Sequence, residues 1–145
     1  MMISTKGRYA LRVMVDLTQN GGGENFVSLK SVSERQEISQ KYLEMIVSQL
    51  SRGGVLRSMR GKEGGYTLAR PADRISVGEV VRLTEGSLAP VSCLECGEPT
   101  CEKAADCLTL PIWSELDKMV NTYLDSISIQ DVVDRNIRTG GNYLA

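Results

Sequence analysis

The sequence predicts a mainly α-helical fold with one small β-hairpin, arranged as a winged helix-turn-helix followed by a long dimerisation helix. Apolar residues recur at helical three-and-four spacing in several segments, most of them preceded by a Ser or Thr that can cap a helix. A Gly-rich, basic stretch between two short runs of strand-type residues predicts the hairpin. A last, broad apolar stripe predicts a helix that packs on more than one neighbour.

The first two helices are indicated by their caps and stops. Ser4 or Thr5 can cap a first helix, which runs out at the Asn-Gly-Gly-Gly sequence of residues 20–23. Ser28 opens a second, shorter helix that carries Val32 at an apolar position. The front of the chain is therefore predicted to start with two amphipathic helices.

A third helix follows after a short turn, and a hairpin comes next. Ser39 can cap this helix, which stops at the Gly-Gly pair of residues 53–54. Two helices joined by a turn of about four residues have helix-turn-helix geometry. Residues 55–59 and 66–68 indicate two strands, and the Gly-Gly pair at 64–65 suits a close approach of the backbone. The resulting wing carries four basic side chains, which are Arg57, Arg60, Lys62 and Arg70.

Behind the wing, the chain divides into a short helix, a cysteine-rich segment and a long helix. A capping-box sequence at residues 76–79 opens the short helix, Gly86 ends it, and Ser128 caps a final helical turn. The apolar stripe of the long helix is broad for a small domain, so part of it is expected to face a second subunit, although it could also pack only on its own domain. The predicted regions are a DNA-binding domain over 1–86, a cofactor loop over 87–111, and a dimerisation helix with a tail over 112–145.

Charge is unevenly distributed along the chain. Residues 1–70 contain 11 Lys and Arg against 6 Asp and Glu (net +5), whereas residues 71–145 contain 6 against 12 (net −6). A basic front half suits binding to a polyanion such as DNA, because neutralising phosphates supplies much of the affinity. Ordinary scatter of surface charge is the alternative explanation.

Other classes of protein are disfavoured. The chain has no histidine, so a nucleophile of the triad type lacks its usual base and we do not expect an enzyme. No run of about 18 apolar residues exists to span a bilayer, and charges interrupt the N-terminal segment, so we expect a cytoplasmic protein. In a reducing cytoplasm, clustered thiols are more often ligands or redox groups than standing disulfides.

The start of the third helix offers side chains that can bind DNA. Ser39, Gln40, Lys41 and Glu44 are of types that bond base edges or phosphates. A carboxylate near phosphates is unfavourable unless it accepts from a base such as cytosine N4, so Glu44 is either a base contact or a solvated helix residue. Tyr42 either packs in the core or donates its hydroxyl to a phosphate.

All four cysteines of the chain lie within one short segment. Their spacing is Cys-x2-Cys-x4-Cys-x5-Cys, formed by Cys93, Cys96, Cys101 and Cys107. Structural zinc sites usually use two Cys-x2-Cys pairs, and only one is present here. Iron-sulfur clusters accept more varied spacing. From spacing alone, an iron-sulfur cluster, zinc, and thiol-disulfide sensing or free thiols all remain open.

Four stretches together resemble one family. The segments ISTKGRYALRVM, EISQKYLEMIVSQLSRGGVLRSMRGKEGGYTLAR, ISVGEVV and CLTLPIWSEL are similar to the Rrf2 superfamily of bacterial winged-helix regulators, over roughly residues 2 to 133. The superfamily includes the iron-sulfur cluster assembly regulator and repressors of cysteine metabolism. The resemblance implies a homodimer held by the long helix, a winged helix-turn-helix on each subunit, and a palindromic promoter as target.

The resemblance also implies DNA contacts. It carries over Ser39, Gln40, Tyr42 and Glu44 in the recognition helix, Arg60 in the wing, and Lys6 and Arg8 as phosphate contacts near the first helix. Residue type and position add Lys41 and Lys62 to this set. Lys62 and Glu63 stand where members of the family often have Pro-Gly, so the resemblance implies the shape of the wing less directly than the contacts of the recognition helix.

The resemblance further implies an iron-sulfur cluster, 2Fe-2S ahead of 4Fe-4S, with zinc behind both. Cys93, Cys101 and Cys107 match the three ligating cysteines of cluster-containing members, and Leu110 stands where a ligating histidine would be. Cys96 is then the candidate fourth ligand, or a bystander. Asp16 is a distant alternative from the first helix of a partner subunit.

The expected protein is a dimeric repressor whose cysteine segment binds a cluster that changes its affinity for a promoter. Two alternatives stay open. One is a cluster-free repressor of cysteine or sulfur metabolism, controlled by thiol oxidation or a partner enzyme. The other is a small redox protein that does not bind DNA.

Overall fold

A computed structural model describes residues 2–95, 101–137 and 139–140 of the 145-residue chain. The described residues form helices α1 (Thr5–Gly21), α2 (Leu29–Gln36), α3 (Gln40–Arg52), α4 (Val77–Glu85), α5 (Leu110–Asp125) and α6 (Ile129–Val133), and strands β1 (Leu56–Met59) and β2 (Gly65–Leu68). This is the mainly helical fold with one hairpin that the sequence predicts. Within the described residues, every helix is too short or too polar to cross a membrane.

The helices begin at the serines that the sequence indicates. The hydroxyl oxygens of Ser4, Ser28 and Ser39 each accept a hydrogen bond from a backbone N–H of the first turn, which satisfies a donor that has no partner inside the helix. Ser128 and Asp131 cap α6 reciprocally, which confirms that prediction. The starts of α1, α2, α3 and α6 are thus explained by local side-chain chemistry.

The capping box predicted at residues 76–79 forms only in part. The Ser76 hydroxyl accepts from the Glu79 N–H at 3.0 Å, as expected. The Glu79 carboxylate does not close the box, because it accepts from the Arg70 guanidinium. A long-range ion pair has therefore replaced a local hydrogen bond.

The wing is a short antiparallel hairpin with an added backbone bridge. Leu56 pairs with Leu68 and Met59 pairs with Gly65. Val27 and Tyr66 exchange two backbone hydrogen bonds of 2.9 Å, which fix β2 to the segment before α2. A Cβ atom on Gly65 would collide with the Val27 carbonyl, so the close approach predicted for this glycine is confirmed.

The core surrounds α1, which packs against α2, α3, α4, α6 and β2. Its largest fully buried side chains include Met14, Leu17, Leu43, Ile46, Leu50, Ile75 and Ile129. The chain returns to this core after α5, because the Val77 N–H donates to the Ile127 carbonyl at 2.8 Å and the Ile129 N–H donates to the Ile75 carbonyl at 2.9 Å. The winged-helix unit is thus completed by α6, from near the end of the chain.

Helix α5 is held to the core along one side only. Arg82 of α4 donates to Asn121 at 3.0 Å and to Asp125 at 2.6 Å. All 16 residues of α5 are described, and none of them is buried. The side chains of Ile112 and Trp113 are 58% and 36% exposed. The helix starts at Leu110, two residues before the predicted start, because Pro111 is well suited to a first helical turn.

Candidate nucleic-acid interface and cysteine segment

Helix α3 has one buried face and one exposed face. Leu43, Ile46, Val47 and Leu50 are buried in the core. The exposed face carries residues at successive helical turns, which are Lys41, Glu44, Met45, Ser48 and Arg52. Gln40, in the first turn, is also exposed. Because β1 packs against α3, the wing lies next to this helix.

Two of the residues expected to contact DNA also have structural contacts. The Ser39 hydroxyl caps α3 by accepting from the Tyr42 N–H at 3.2 Å. The Tyr42 ring is half-buried and meets the Tyr9 ring edge-on, with centroids 5.9 Å apart. Such an aromatic pair helps to fix the angle between α1 and α3. The interpretation of Tyr42 as a core-packing residue therefore has direct structural support.

The basic side chains of the wing do not share one role. Arg57, Arg60 and Lys62 are exposed, and the Arg57 guanidinium lies 5.9 Å from the centroid of the Phe26 ring. Arg70 binds the Glu79 carboxylate and the Arg74 carbonyl. The sequence analysis assigned Arg70 to the basic side chains of the wing. In the structure, Arg70 instead links the end of the wing to α4 through Glu79.

The start of α1 is fixed next to the end of α4. The Ser4 N–H and hydroxyl both donate to the Glu85 carboxylate. Arg8 is exposed and donates to the Thr5 hydroxyl at 3.1 Å, whereas Lys6 is half-buried. Both expected phosphate contacts thus lie on an anchored helix start.

An ion-pair network around a buried carboxylate, which the sequence does not indicate, joins α1 to α2. The Asp16 side chain is 1% exposed and accepts from Arg35 Nε at 3.0 Å, from Arg35 Nη2 at 2.8 Å and from Gln36 Nε2 at 2.9 Å. Arg12 Nε in turn donates to Gln36 Oε1 at 3.0 Å. The hydrogen bond to Asp16 is the main cause that raises the pKa of Arg35. Because its carboxylate is already bound within the chain, Asp16 is poorly placed to serve as a cluster ligand.

The network acts on the turn that precedes the recognition helix. Val32 is the only buried residue among the eight of α2, so apolar packing fixes this helix weakly. The α2 helix ends at Gln36, and Glu37 follows with φ 56°, a left-handed conformation that a non-glycine residue rarely adopts. Polar contacts from α1 therefore set much of the position of the turn. An Asp on the buried side of α1 is the one sequence signal that could have indicated such a partner.

Three of the four cysteines lie within the described residues, and all three are free thiols. Cys93 is half-buried in the helical turn Ser92–Leu94, whereas Cys101 and Cys107 are exposed. Cys96 lies outside the described residues. Within the described part of the chain, no three Cys, Asp or Glu side chains are gathered closely enough to hold a metal ion.

The last cysteine has a specific local environment. Its Sγ atom lies 3.5 Å from the Thr109 hydroxyl oxygen, and this hydrogen bond is the largest of the contacts that lower the pKa of Cys107. A lowered pKa favours the thiolate, which is the form that binds metals and attacks oxidants. Leu110, three residues on, is the first residue of α5 and offers no ligand atom.

Comparison with known proteins gives consistent matches along the chain. The family model "Rrf2: Iron-dependent Transcriptional regulator" matches residues 3–135. The chain is 38% identical to the HTH-type transcriptional regulator CymR of Bacillus subtilis, over 91% of this chain and 89% of that protein. It is also 38% identical to the HTH-type transcriptional regulator IscR of Xenorhabdus nematophila, over 92% of this chain and 79% of that protein. The solved structure of CymR, the global cysteine regulator of B. subtilis, superposes with a TM-score of 0.75 at 35% identity, covering 93% of this chain and 98% of that one.

Proposed function

Because this chain belongs to the Rrf2 family of DNA-binding transcriptional regulators, we propose that it is a dimeric repressor that reads a palindromic promoter site with α3 and is controlled through its cysteine segment. The observation that carries the proposal is the exposed face of α3. That face is polar and charged while the opposite face is buried, and it lies beside a basic wing. A helix exposed in this way fits the width of the major groove.

Base reading is assigned to the first two turns of α3. Gln40 and Glu44 are exposed there and have side chains that bond base edges. Glu44 would accept from a cytosine amino group, since its charge disfavours a position beside phosphates. Ser39 and Tyr42 also hold the helix in place. They would contribute to DNA binding through the hydrogen-bonding capacity that their contacts within the fold leave unused.

Phosphate binding is assigned to side chains around that face. Lys41 stands on α3, Arg60 and Lys62 on the wing, and Lys6 and Arg8 at the start of α1. Such contacts supply affinity and fix register, but they do not depend on sequence. Arg70 is left out of this set, because its guanidinium is bound to Glu79.

The proposed dimer forms through α5. A helix with no buried residue, and with Ile112 and Trp113 exposed, has an apolar stripe that its own chain does not cover. A two-fold dimer would bury the same stripe on both subunits and place two α3 helices about one turn of DNA apart. This geometry explains a palindromic site.

The cysteine segment has the donor chemistry of an iron-sulfur site. Cys93, Cys101 and Cys107 are free thiols, and they would hold the cluster together with Cys96. When bound, the cluster would supply a response to iron supply or to oxidants. Since the three described thiols are not yet gathered, binding would require the segment to draw them together. Such a change acts next to Leu110, where α5 begins, and so reaches the dimer interface.

Thiol control without a cluster is the second candidate, and a specific observation favours it. Cys107 has a lowered pKa and an exposed sulfur, while Leu110 supplies no fourth ligand. Oxidation of this thiol would then carry the signal, as in a regulator of sulfur metabolism. The similarity to the cysteine regulator CymR supports this candidate.

DNA binding is tested by selecting sites from a random duplex library and measuring the affinity of variants for them. We expect Glu44→Ala to relax base preference at one position per half-site, at about 1–3 kcal/mol, and Arg60→Ala to weaken binding evenly across sequences. Glu34→Ala and Arg135→Ala alter exposed residues of the same types that belong neither to α3 nor to the wing, and they should change neither property. Equal effects of Glu44→Ala and Glu34→Ala on base preference would contradict the assignment of α3.

Anaerobic reconstitution with iron and sulfide distinguishes control by a cluster from control by thiol oxidation. A cluster gives visible absorption with stoichiometric iron and sulfide, and Cys107→Ser abolishes it. If Cys96 is the fourth ligand, Cys96→Ser abolishes it as well. A colourless, iron-free product, together with oxidant-dependent loss of DNA affinity that Cys107→Ser removes, would instead support thiol control.

A further inference from the structure

The recognition helix presents one large apolar side chain to solvent. Met45 is 50% exposed, although α3 already buries four apolar residues in the core. It lies in the middle of an exposed stripe of residues spaced by three or four positions, namely Lys41, Met45, Ser48 and Arg52. The stripe is therefore basic at both ends and apolar near its centre.

The exposed part of Met45 is not needed by the fold. Tyr42 is half-buried and packs against the core, whereas Met45 belongs neither to the core nor to the partly buried residues around it. An exposed methionine leaves apolar surface in water that a partner can cover favourably. The chain thus has an uncovered apolar group on the helix that we assign to the major groove.

The basic residues at the two ends of the stripe indicate which part of the DNA Met45 would contact. Lys41 and Arg52 are 11 positions apart, which is about 16 Å along a helix axis. The major groove is about 12 Å wide, so these side chains can reach phosphates at its two sides while Met45 faces the base edges. The only apolar group that bases present in this groove is the C5-methyl of thymine.

We propose that Met45 is a specificity-determining residue that packs on the C5-methyl group of a thymine in each half-site. This inference rests on the proposed placement of α3 in the major groove. Polar neighbours such as Glu44 and Ser48 read hydrogen-bonding groups, whereas Met45 adds a requirement for a methyl group. Met45 therefore distinguishes thymine from cytosine through an apolar contact rather than a hydrogen bond.

The experiment replaces single thymines by uracil in the selected operator, since uracil lacks only the methyl group. We expect one position per half-site at which the wild-type protein loses affinity about fourfold, the effect of one buried methyl-sized group. Met45→Ala and Met45→Gln should bind the two operators equally well. Gln keeps the length and the helix propensity of the side chain, so it separates loss of the contact from loss of the fold. Met2→Ala, which alters the most exposed methionine of the described residues, should keep the wild-type discrimination.

The outcomes distinguish this inference from the proposed function. If the wild-type protein selects an operator but no uracil substitution acts through Met45, the inference is wrong and the function of α3 stands. If both Met45 variants lose affinity equally for thymine and uracil operators, Met45 is a structural or general contact, and the inference is also wrong. A library that yields no preferred sequence would contradict the proposed function and, with it, the role of Met45.

Discussion

The winged-helix unit and the α5 helix differ in how much of their own apolar surface they cover. In the first, α1, α3 and α4 bury side chains such as Met14, Leu50 and Val80 almost completely. In the second, no residue of the described helix is buried, although α5 has 16 residues against the 17 of α1. A helix with an uncovered stripe is marginal on its own, because most helical stability in proteins comes from packing. The winged helix is thus complete within one chain, whereas α5 leaves apolar surface for the second chain that we propose.

The largest expected effect is on the core of the winged-helix unit. Leu50→Ala removes a fully buried side chain, and we expect it to lower the free energy of unfolding by about 2–5 kcal/mol. Ile137→Ala, at an apolar residue that is 43% exposed, should change it by less than about 0.5 kcal/mol. Urea denaturation followed by circular dichroism measures both. Similar losses for the two variants would contradict the division between the covered and uncovered regions.

The ion pair between Asp16 and Arg35 is the next test of the winged-helix unit. Asp16→Asn leaves Arg35 without its charged partner and should destabilise the protein by about 2 kcal/mol, less than for a fully buried pair because 38% of the Arg35 side chain is exposed. Since the pair fixes the turn before α3, DNA affinity should also fall in conditions where the variant stays folded. The exposed Asp73→Asn serves as the control. Unchanged DNA affinity in folded Asp16→Asn protein would show that the network does not position α3.

A charge placed on α5 tests the other region. Ile112→Asp should weaken dimerisation at least about tenfold, because it buries an unpaired carboxylate in the proposed interface. The free energy of unfolding of the winged-helix core should change little, since Ile112 is exposed within one chain. Sedimentation equilibrium of Ile112→Asp and of Ile137→Asp, a matched change at another exposed apolar residue, provides the comparison. Equal dimerisation of the two variants would place the interface elsewhere.

The smallest effect concerns the thiol before α5. In the metal-free protein, alkylation of Cys107 should reach half its maximal rate at a pH below the usual pKa of a cysteine, because the thiolate that reacts is favoured by the Thr109 hydroxyl. Thr109→Val removes this hydrogen bond, so the midpoint should move to higher pH. Mass spectrometry of alkylated peptides over a pH series measures the shift. A midpoint that Thr109→Val does not move would show that the hydrogen bond has no effect on this thiol.

The two regions also differ in how far the sequence predicts them. Caps, stops and apolar spacing are local features of the sequence. The starts of α1, α2, α3, α4 and α6 therefore follow from the serine that precedes each helix. The pairings of Asp16 with Arg35 and of Arg70 with Glu79 join distant positions, and no local pattern indicates them. The exposure of Met45 was not predicted either, because an apolar side chain at helical spacing is normally assigned to the buried face.

The central claim is that two chains, joined through α5, place two α3 helices on one palindromic site. Sedimentation equilibrium of the protein with a duplex that carries the selected operator tests it directly, because the mass of the complex gives the number of chains per duplex. We predict two chains on an intact palindrome and a loss of this complex for Ile112→Asp at the same concentration. A single chain per duplex, or two chains bound equally well by Ile112→Asp, would contradict the account.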